Sequence, residues 1–355
     1  SIFDKRNNKE LVHSGKSIRL ALFTENESFH WPAWEILKKE IDKDPISITE
    51  GVKVTLVESG PLRATLCVEK THGESVFKQY ISLNEGGQAD RIDIRNEVNW
   101  QSTNALLKAE FPFSVSNPKA TYDLGVGAVQ RGNNTETAYE VYAQHWADLT
   151  DQDGSYGIAV MNDSKYGWDK PNDHTIRLTL LHTPKTRGGY AYQNKQDFGV
   201  HHFSYAIVGH ANAYQDADIV AKAELYNQTP KAFVAPKHKG DLGKSFSFLK
   251  SNNDNVIIKA VKQAEKSNDY VVRLYETSGT TKQSVSLSFA GNIIDAKELN
   301  GVEDEIGNAS FNGNELTFEI QPFSMKTYKI TLAAHKKQES PISVAIDLPY
   351  NLKAT

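Results

Sequence analysis

The residues best equipped for chemistry lie between positions 143 and 169. The run reads Ala143-Gln144-His145-Trp146-Ala147-Asp148-Leu149-Thr150, then Ser155-Tyr156-Gly157-Ile158-Ala159-Val160-Met161-Asn162-Asp163-Ser164-Lys165-Tyr166-Gly167-Trp168-Asp169. Flat aromatic rings stack on the C–H faces of a sugar, while Asn, Asp and Lys bond its hydroxyls. The same mixture also builds a Trp/Tyr corner buried between two sheets. Composition leaves both readings open.

Other groupings carry less. Gly125-Val126-Gly127-Ala128-Val129-Gln130-Arg131-Gly132 is glycine-rich, but a phosphate cradle needs a strand before it and a helix N-terminus after it. The residues that follow, 133–139, offer no apolar helical face, so a turn-rich β connection is expected. His202 and His210 share one face of a strand, yet lie about 26 Å apart at ~3.3 Å per residue, too far to hold one ion. His145, His174, His182 and His201 are likewise expected in hydrogen-bonded structural roles. Asp151 with Asp153, and Glu303 with Glu305, have the spacing that puts two carboxyls on one strand face. A retaining glycosidase needs such a pair about 5–5.5 Å apart, but both pairs sit in turn-forming sequence. No nucleophile elbow, P-loop or His-Glu-x-x-His occurs. No segment specifies a catalytic centre by itself.

The elements that must position these side chains read as strands. Apolar residues alternate with polar ones over 52–56, 76–83, 90–98, 175–181, 203–208, 270–275, 285–289 and 316–320, each run closed by Gly, Asn, Asp or Pro. Alternation points to antiparallel sheets with one wet face. Helical signal is confined to a short stretch at Ala33–Glu40 and an ambiguous one at Ala217–Leu225. The fold class is all-β, built of stacked sandwiches. A polar, proline-bearing join at Asn227–Pro230 and Pro236–Gly240 divides a larger β domain (1–229) with long strands from a smaller one (230–332) with shorter strands. Residues 333–355 are expected to be a surface tail or the start of a further segment.

The 355 residues suffice to bury roughly 75% of the unfolded surface. The formal charge of −4 gives no basic field for a phosphate backbone, so nucleic acid is not an expected partner. Cys67 is the sole cysteine. It rules out an internal disulfide or a Cys-based zinc site, and a buried inert thiol is expected. No window approaches the ~18 apolar residues of a membrane span. The chain opens on Ser-Ile-Phe-Asp without Met, which suggests a cut through a longer protein. Its localisation stays unknown from sequence.

A series of motifs resembles the C-terminal half of the retaining α-mannosidases, glycoside hydrolase family 38. His145, Trp146, Asp148 and Leu149 are similar to the family's His/Trp/Asp-Leu run. Residues 156–167 resemble its Tyr-Gly-Val-Ala-Leu-Leu-Asn-Asp-x-Lys-Tyr-Gly, with Ile158, Val160 and Met161 as apolar exchanges. Arg177-Leu178-Thr179-Leu180-Leu181-His182-Thr183-Pro184 follows as the next matching strand. Ile2-Phe3-Asp4-Lys5-Arg6 with Glu10-Leu11-Val12, Trp31-Pro32-Ala33-Trp34-Glu35-Ile36, Gly199–Ala206 with His210, and Arg273-Leu274-Tyr275-Glu276 extend the likeness over most of the chain.

The resemblance implies a galactose-mutarotase-like supersandwich followed by a small β-sandwich. It implies that a zinc ion and two catalytic aspartates sit on an N-terminal α/β barrel that is absent here. The implied partners are that catalytic domain of the parent protein and mannose-containing glycans. No catalytic residue, metal ligand or cofactor is assigned to this chain, which alone is expected to be inactive. By the same resemblance Asp163, Lys165 and Tyr166 are candidate hydroxyl contacts, with Asp169 behind them, and Trp34 is a candidate stacking residue. Pro32, Glu35 and Gly209 depart from the family pattern. Two rival readings stand beside this one. The first is a non-catalytic carbohydrate-binding module presenting Trp31, Trp34 and Trp168. The second is an aldose-1-epimerase-like enzyme, which needs a Glu/His acid–base pair. Linkage preference and phosphorylated versus plain mannosyl substrate stay open.

Overall fold

The computed structural model describes residues 1–24, 28–86, 90–240 and 242–333. Two short strands, β1 (Phe3–Asp4) and β2 (Lys9–Glu10), precede β3 (Arg19–Thr24), helix α1 (Lys38–Ile41) and β4 (Ile46–Ser47). Four ten-residue strands follow, β5 (Glu50–Ser59), β6 (Arg63–His72), β7 (Ser75–Asn84) and β8 (Arg91–Trp100). Next come β9 (Ala105–Pro112), β10 (Lys119–Asp123), β11 (Ala128–Gly132), β12 (Val141–Tyr142) and β13 (Trp146–Thr150). The run β14 (Tyr156–Asn162), β15 (Gly167–Asn172), β16 (Thr175–Thr183) and β17 (Gly199–Ala211) leads to helix α2 (Ile219–Asn227). After it come β18 (Leu249–Ser251), β19 (Val256–Gln263), β20 (Tyr270–Glu276), β21 (Gln283–Phe289) and β22 (Ile293–Leu299). The last are β23 (Glu305–Asn308), β24 (Ser310–Asn312), β25 (Glu315–Ile320) and β26 (Met325–Leu332).

The chain divides into two compact units, Ser1–Pro230 and Lys231–Thr355. In the first, a nine-stranded sheet ordered β11-β10-β13-β14-β17-β8-β7-β6-β5 faces a six-stranded sheet ordered β12-β15-β16-β9-β3-β4. Phe77, Val98, Trp100, Ile158 and Phe203 from the larger sheet meet Leu20, Leu107, Phe111, Trp168 and Ile176 from the smaller. A buried aromatic of this size removes enough surface to contribute about 4–6 kcal/mol as an upper bound. In the second unit a four-stranded sheet (β18-β21-β25-β24) and a five-stranded sheet (β19-β20-β26-β22-β23) enclose Val272, Leu274, Val285, Leu287, Leu316 and Ile330.

Every run of alternating residues read from the sequence falls within a strand, save Asp90, which sits in the turn just before β8. The expectation of one wet face fails in the middle of the large sheet, however. All seven residues of β14 are buried. Its inner side faces the six-stranded sheet, and its outer side, with Ala159 and Met161, is covered by α2 through Ile219 and Ala223. Those two sit four residues apart and form one helical stripe. The opposite holds at β5, the edge strand. Val52, Val54 and Leu56 alternate as expected yet are each more than half exposed, and β5 pairs with β6 through register shifts at Glu50/Lys53 and Leu56/Glu58.

Two local expectations need correction, and one open reading is resolved. Of Ala33–Glu40, only the end lies in a helix, α1. The Trp31 carbonyl instead accepts from the amides of Trp34 (3.0 Å) and Glu35 (2.9 Å) in a turn, because a segment with no buried face cannot sustain helix nucleation. The ambiguous stretch near 217–225 is helical, as α2. Cys67 is half-buried rather than buried, since β6 neighbours the exposed edge. Residues 334–355, which include nearly all of the expected tail, lie outside the described residues. No described helix is long and apolar enough to cross a membrane.

Candidate functional site

The loop joining β14 to β15 carries three of the candidate side chains. Asn162 pins it: its Oδ1 accepts from the Lys165 amide at 2.8 Å, and its Nδ2 donates to the Gln144 carbonyl at 3.0 Å. Asp163 is drawn to β17, where the Ser204 amide donates to both carboxylate oxygens at 3.0 Å and the Ser204 hydroxyl donates at 2.6 Å. Lys165 takes another course, with its Nζ 4.9 Å from the centroid of the Phe203 ring. Burial pulls the Lys165 pKa down, against the opposing pull of Asp197 and Asp163. Tyr166 is half exposed, with its ring centroid 6.4 Å from that of Tyr142.

Asp169 is not a hydroxyl contact. It is 1% exposed, and its carboxylate accepts from Arg177 Nε at 3.0 and 3.1 Å, from Arg177 Nη2, and from Asn134 Nδ2 at 2.9 Å. Lys108 Nζ, fully buried on β9, lies 2.9 Å from the same carboxylate. Burial pushes the Asp169 carboxyl up, but Lys108 and Arg177 outweigh it and hold the pKa below the ordinary value. Adjacency to Trp168 in sequence gave no sign that β15 turns Asp169 into a core ion cluster.

That cluster reaches the surface elsewhere. Lys108 Nζ also donates to Glu140 Oε2 at 2.5 Å and Thr179 Oγ1 at 2.7 Å. Glu140 lines a cleft of about 510 Å³ with Trp31, Trp34, Glu35 and Tyr139. Trp34 is 83% exposed and stacks on Trp31, centroids 5.1 Å apart and planes within 6°. Asp169 therefore stands behind the Trp34 cleft, with Lys108 and Glu140 between them.

The five candidates do not line one cavity. Asp163 borders a cleft of about 720 Å³ with Tyr80, Arg95 and Ser204. Ser204 lies between Phe203 and Tyr205, which point into the inter-sheet core, so it faces outward from the nine-stranded sheet. Lys108 lies between the core residues Leu107 and Ala109 and faces outward from the six-stranded sheet. The two clefts thus open on opposite faces of the sandwich, and one sugar cannot touch both. Trp146 and Trp168 are buried, so the aromatic corner is the correct reading for them, and Trp168 cannot serve as an exposed platform.

Sequence reasoning missed a buried carboxylate–imidazole pair. His210 on β17 and Asp148 on β13 meet across β14, Nε2 to Oδ2 2.7 Å, and the Thr150 hydroxyl donates to the same carboxylate at 2.6 Å. Gly157 is His210's cross-strand partner, and a Cβ there would lie 2.4 Å from the imidazole. The glycine after Tyr156 is the signal that would have found this pair. Tyr156 itself donates to Asp4 Oδ2 at 3.1 Å, tying β14 to the N-terminal hairpin. Asp151 and Asp153 accept backbone amides of Ser116 and Ser155 as turn residues. Among the described residues no three His, Cys, Asp or Glu side chains come together to hold a metal ion.

Comparison with known proteins places these features in context. Residues 1–187 match the model of the glycosyl hydrolases family 38 C-terminal domain, and residues 255–328 match that of the glycosyl hydrolases family 38 C-terminal beta sandwich domain. Alpha-mannosidase G of Dictyostelium discoideum is 29% identical over 356 residues, a match covering 93% of this chain and 30% of that protein. Human alpha-mannosidase 2C1 is 26% identical over 334 residues, covering 91% and 31%. The chain thus spans less than a third of the length of these relatives. The crystal structure of an alpha-mannosidase from Enterococcus faecalis V583 superposes with a TM-score of 0.75 at 15% identity, covering 93% of this chain and 40% of that one.

Proposed function

The chain belongs to glycosyl hydrolase family 38, whose C-terminal domains it carries, and we propose that its parent protein is a retaining α-mannosidase acting on terminal α-linked mannose. The observation that carries this reading is the pattern of coverage. Alpha-mannosidases match more than nine-tenths of this chain, while the chain accounts for 30–31% of theirs. In the proposed reaction a carboxylate of the parent attacks the anomeric carbon as the leaving oxygen is protonated. Water then hydrolyses the glycosyl-enzyme.

Both carboxylates belong to the remainder of the parent. The zinc implied by the family resemblance finds no set of three donors among the described residues, so we assign it to that remainder as well and route no step through it here. This chain supplies scaffold, and at the β14–β15 loop it supplies Lys165 and Tyr166 as one wall of the sugar pocket. An exposed tyrosine ring and a half-buried ammonium on one loop offer a stacking face and hydrogen-bond donors for a hydroxyl-bearing ring. The test is a paired assay of this chain and of the longer parent on an aryl α-mannoside, with and without added zinc. Activity in the longer protein alone is expected. Hydrolysis by this chain alone would overturn the assignment.

A second reading, a carbohydrate-binding module, is favoured by one observation: the parallel, solvent-exposed pair Trp31 and Trp34. Saturable binding of mannose by this chain, abolished by Trp34→Ala, would support it. Absence of binding would leave the wall-and-scaffold role alone.

A further inference from the structure

The Trp34 cleft adjoins Tyr142, a residue without a role so far. Strand β12 pairs with β15 so that Val141 lies opposite Trp168 and Tyr142 opposite Gly167. Val141 and Trp168 pack in the inter-sheet core. By the period of two, Tyr142 and Gly167 lie on the outer face of the six-stranded sheet. Glu140 joins them there, its carboxylate held by Lys108 and Thr179. Gly167 is the low point of this surface: a Cβ there would lie 2.7 Å from Glu140 Oε1 and 3.2 Å from Thr179 Cβ. Tyr166 precedes it, with its ring centroid 6.4 Å from that of Tyr142, and both tyrosines are half exposed.

Two aromatic platforms, Trp31/Trp34 and Tyr142/Tyr166, therefore adjoin at one carboxylate. The Glu140 side chain is 21% exposed. Lys108 and Thr179 take two of its roughly four lone-pair sites, so it can still accept hydroxyls. Thr137 lines the same cleft and can donate or accept. Among the described residues no Lys, Arg or His lines this cleft, while Glu35 and Glu140 do. The buried Lys108 ammonium is already balanced by Asp169 and Glu140. An anion would meet two carboxylates without a free cation, so the surface suits an uncharged ligand. The Cα atoms of Glu140 and Tyr142 are at most about 7 Å apart, which brings the platforms side by side. A ring seated on Trp34 leaves Tyr142 for the next ring of the same chain.

Resting on the carbohydrate-binding reading above, we propose that this strip holds an uncharged oligosaccharide of at least two linked sugars. One ring stacks on Trp34 and the next on Tyr142 and Tyr166, and Glu140 accepts hydroxyls between them. Hydrolysis by the parent is not required for such binding.

Calorimetric titration of the full chain tests this, with mannose, α-linked mannobiose and mannose 6-phosphate as probes. Mannobiose should bind about tenfold more tightly than mannose, because its second ring gains a second stacking contact. Tyr142→Ala should remove most of that gain and leave mannose binding unchanged, which also reports an intact fold. Tyr142→Phe keeps the ring and should bind mannobiose as the native chain does, whereas Trp34→Ala should weaken both sugars. Mannose 6-phosphate should bind no more tightly than mannose. Equal affinity for mannose and mannobiose, or a Tyr142→Ala chain that still favours mannobiose, would overturn the extended strip and leave Trp34 as a lone platform. Tighter binding of mannose 6-phosphate would overturn the uncharged ligand. Binding of neither mannose nor mannobiose would remove the carbohydrate-binding reading and the strip together, while the mannosidase reading is decided separately by the aryl α-mannoside assay.

Discussion

Asp169 in the first unit and Glu276 in the second are both sealed from solvent, at 1% and 0% exposure, and they are neutralised by opposite means. Asp169 lies against two cations, Lys108 and Arg177, supplied by the neighbouring strands β9 and β16. Glu276 meets none. It accepts the amides of Ser278 (2.8 Å), Gly279 (2.9 Å) and Phe323 (2.9 Å) together with the Ser278 hydroxyl. One carboxylate ties three strands across a sheet, and the other fastens the turn after β20 to the loop before β26. Removing a partner from the first leaves buried charges without compensation. Removing charge from the second weakens hydrogen bonds but strands no cation.

This contrast sets the order of the expected effects. Asp169→Ala should cost about 3–5 kcal/mol, because Lys108 and Arg177 stay buried without it. All five tryptophans, Trp31, Trp34, Trp100, Trp146 and Trp168, lie in the first unit, so urea unfolding followed by tryptophan fluorescence reads this cost directly. A loss below about 1 kcal/mol would show that Glu140 beside Lys108 and Glu110, 3.9 Å from Arg177 Nη1, compensate the cations, and the contrast would collapse. Glu276→Gln keeps the shape and should cost about 1.5–3 kcal/mol. Amide hydrogen exchange across β20 and β26 should register it while the tryptophan transition stays put.

Acid sharpens the difference further. The folded-state pKa of Asp169 is lowered, so its stabilisation is present above the unfolded value of about 3.9 and is lost as pH falls through the folded value. The stability gap between the native chain and Asp169→Asn should therefore narrow on acidification below about pH 4. A gap independent of pH would contradict the ion-cluster account. The smallest effect is expected at Trp34, whose ring is almost wholly exposed. Trp34→Ala should shift stability by no more than about 0.5 kcal/mol, so any loss of sugar binding in that variant reports contact rather than folding.

Strand existence was legible because a period of two survives whatever covers the strand. Burial was not, because it depends on what packs above each face. Val54 and Ile158 both look like core positions in sequence, yet the first lies on an exposed edge and the second under two layers. Among candidate residues, the family resemblance pointed to Asp163, Lys165 and Tyr166, and these three do share the β14–β15 loop. It could not separate Asp163 from Trp34, because only the topology places their clefts on opposite faces. Nor could it pair Asp148 with His210, whose contact runs across an intervening strand and depends on the bare backbone of Gly157.

The β5 edge has a consequence for the behaviour of the chain in concentrated solution. Its unpaired backbone groups and the exposed Val52, Val54 and Leu56 side chains are what a growing aggregate would recruit. The two register shifts at Glu50/Lys53 and Leu56/Glu58 kink that edge and offset its hydrogen-bonding groups from the even spacing an added strand requires. Straightening the Glu50/Lys53 bulge by deleting one residue would turn a protected margin into a template for edge-to-edge association without touching the core or either cleft.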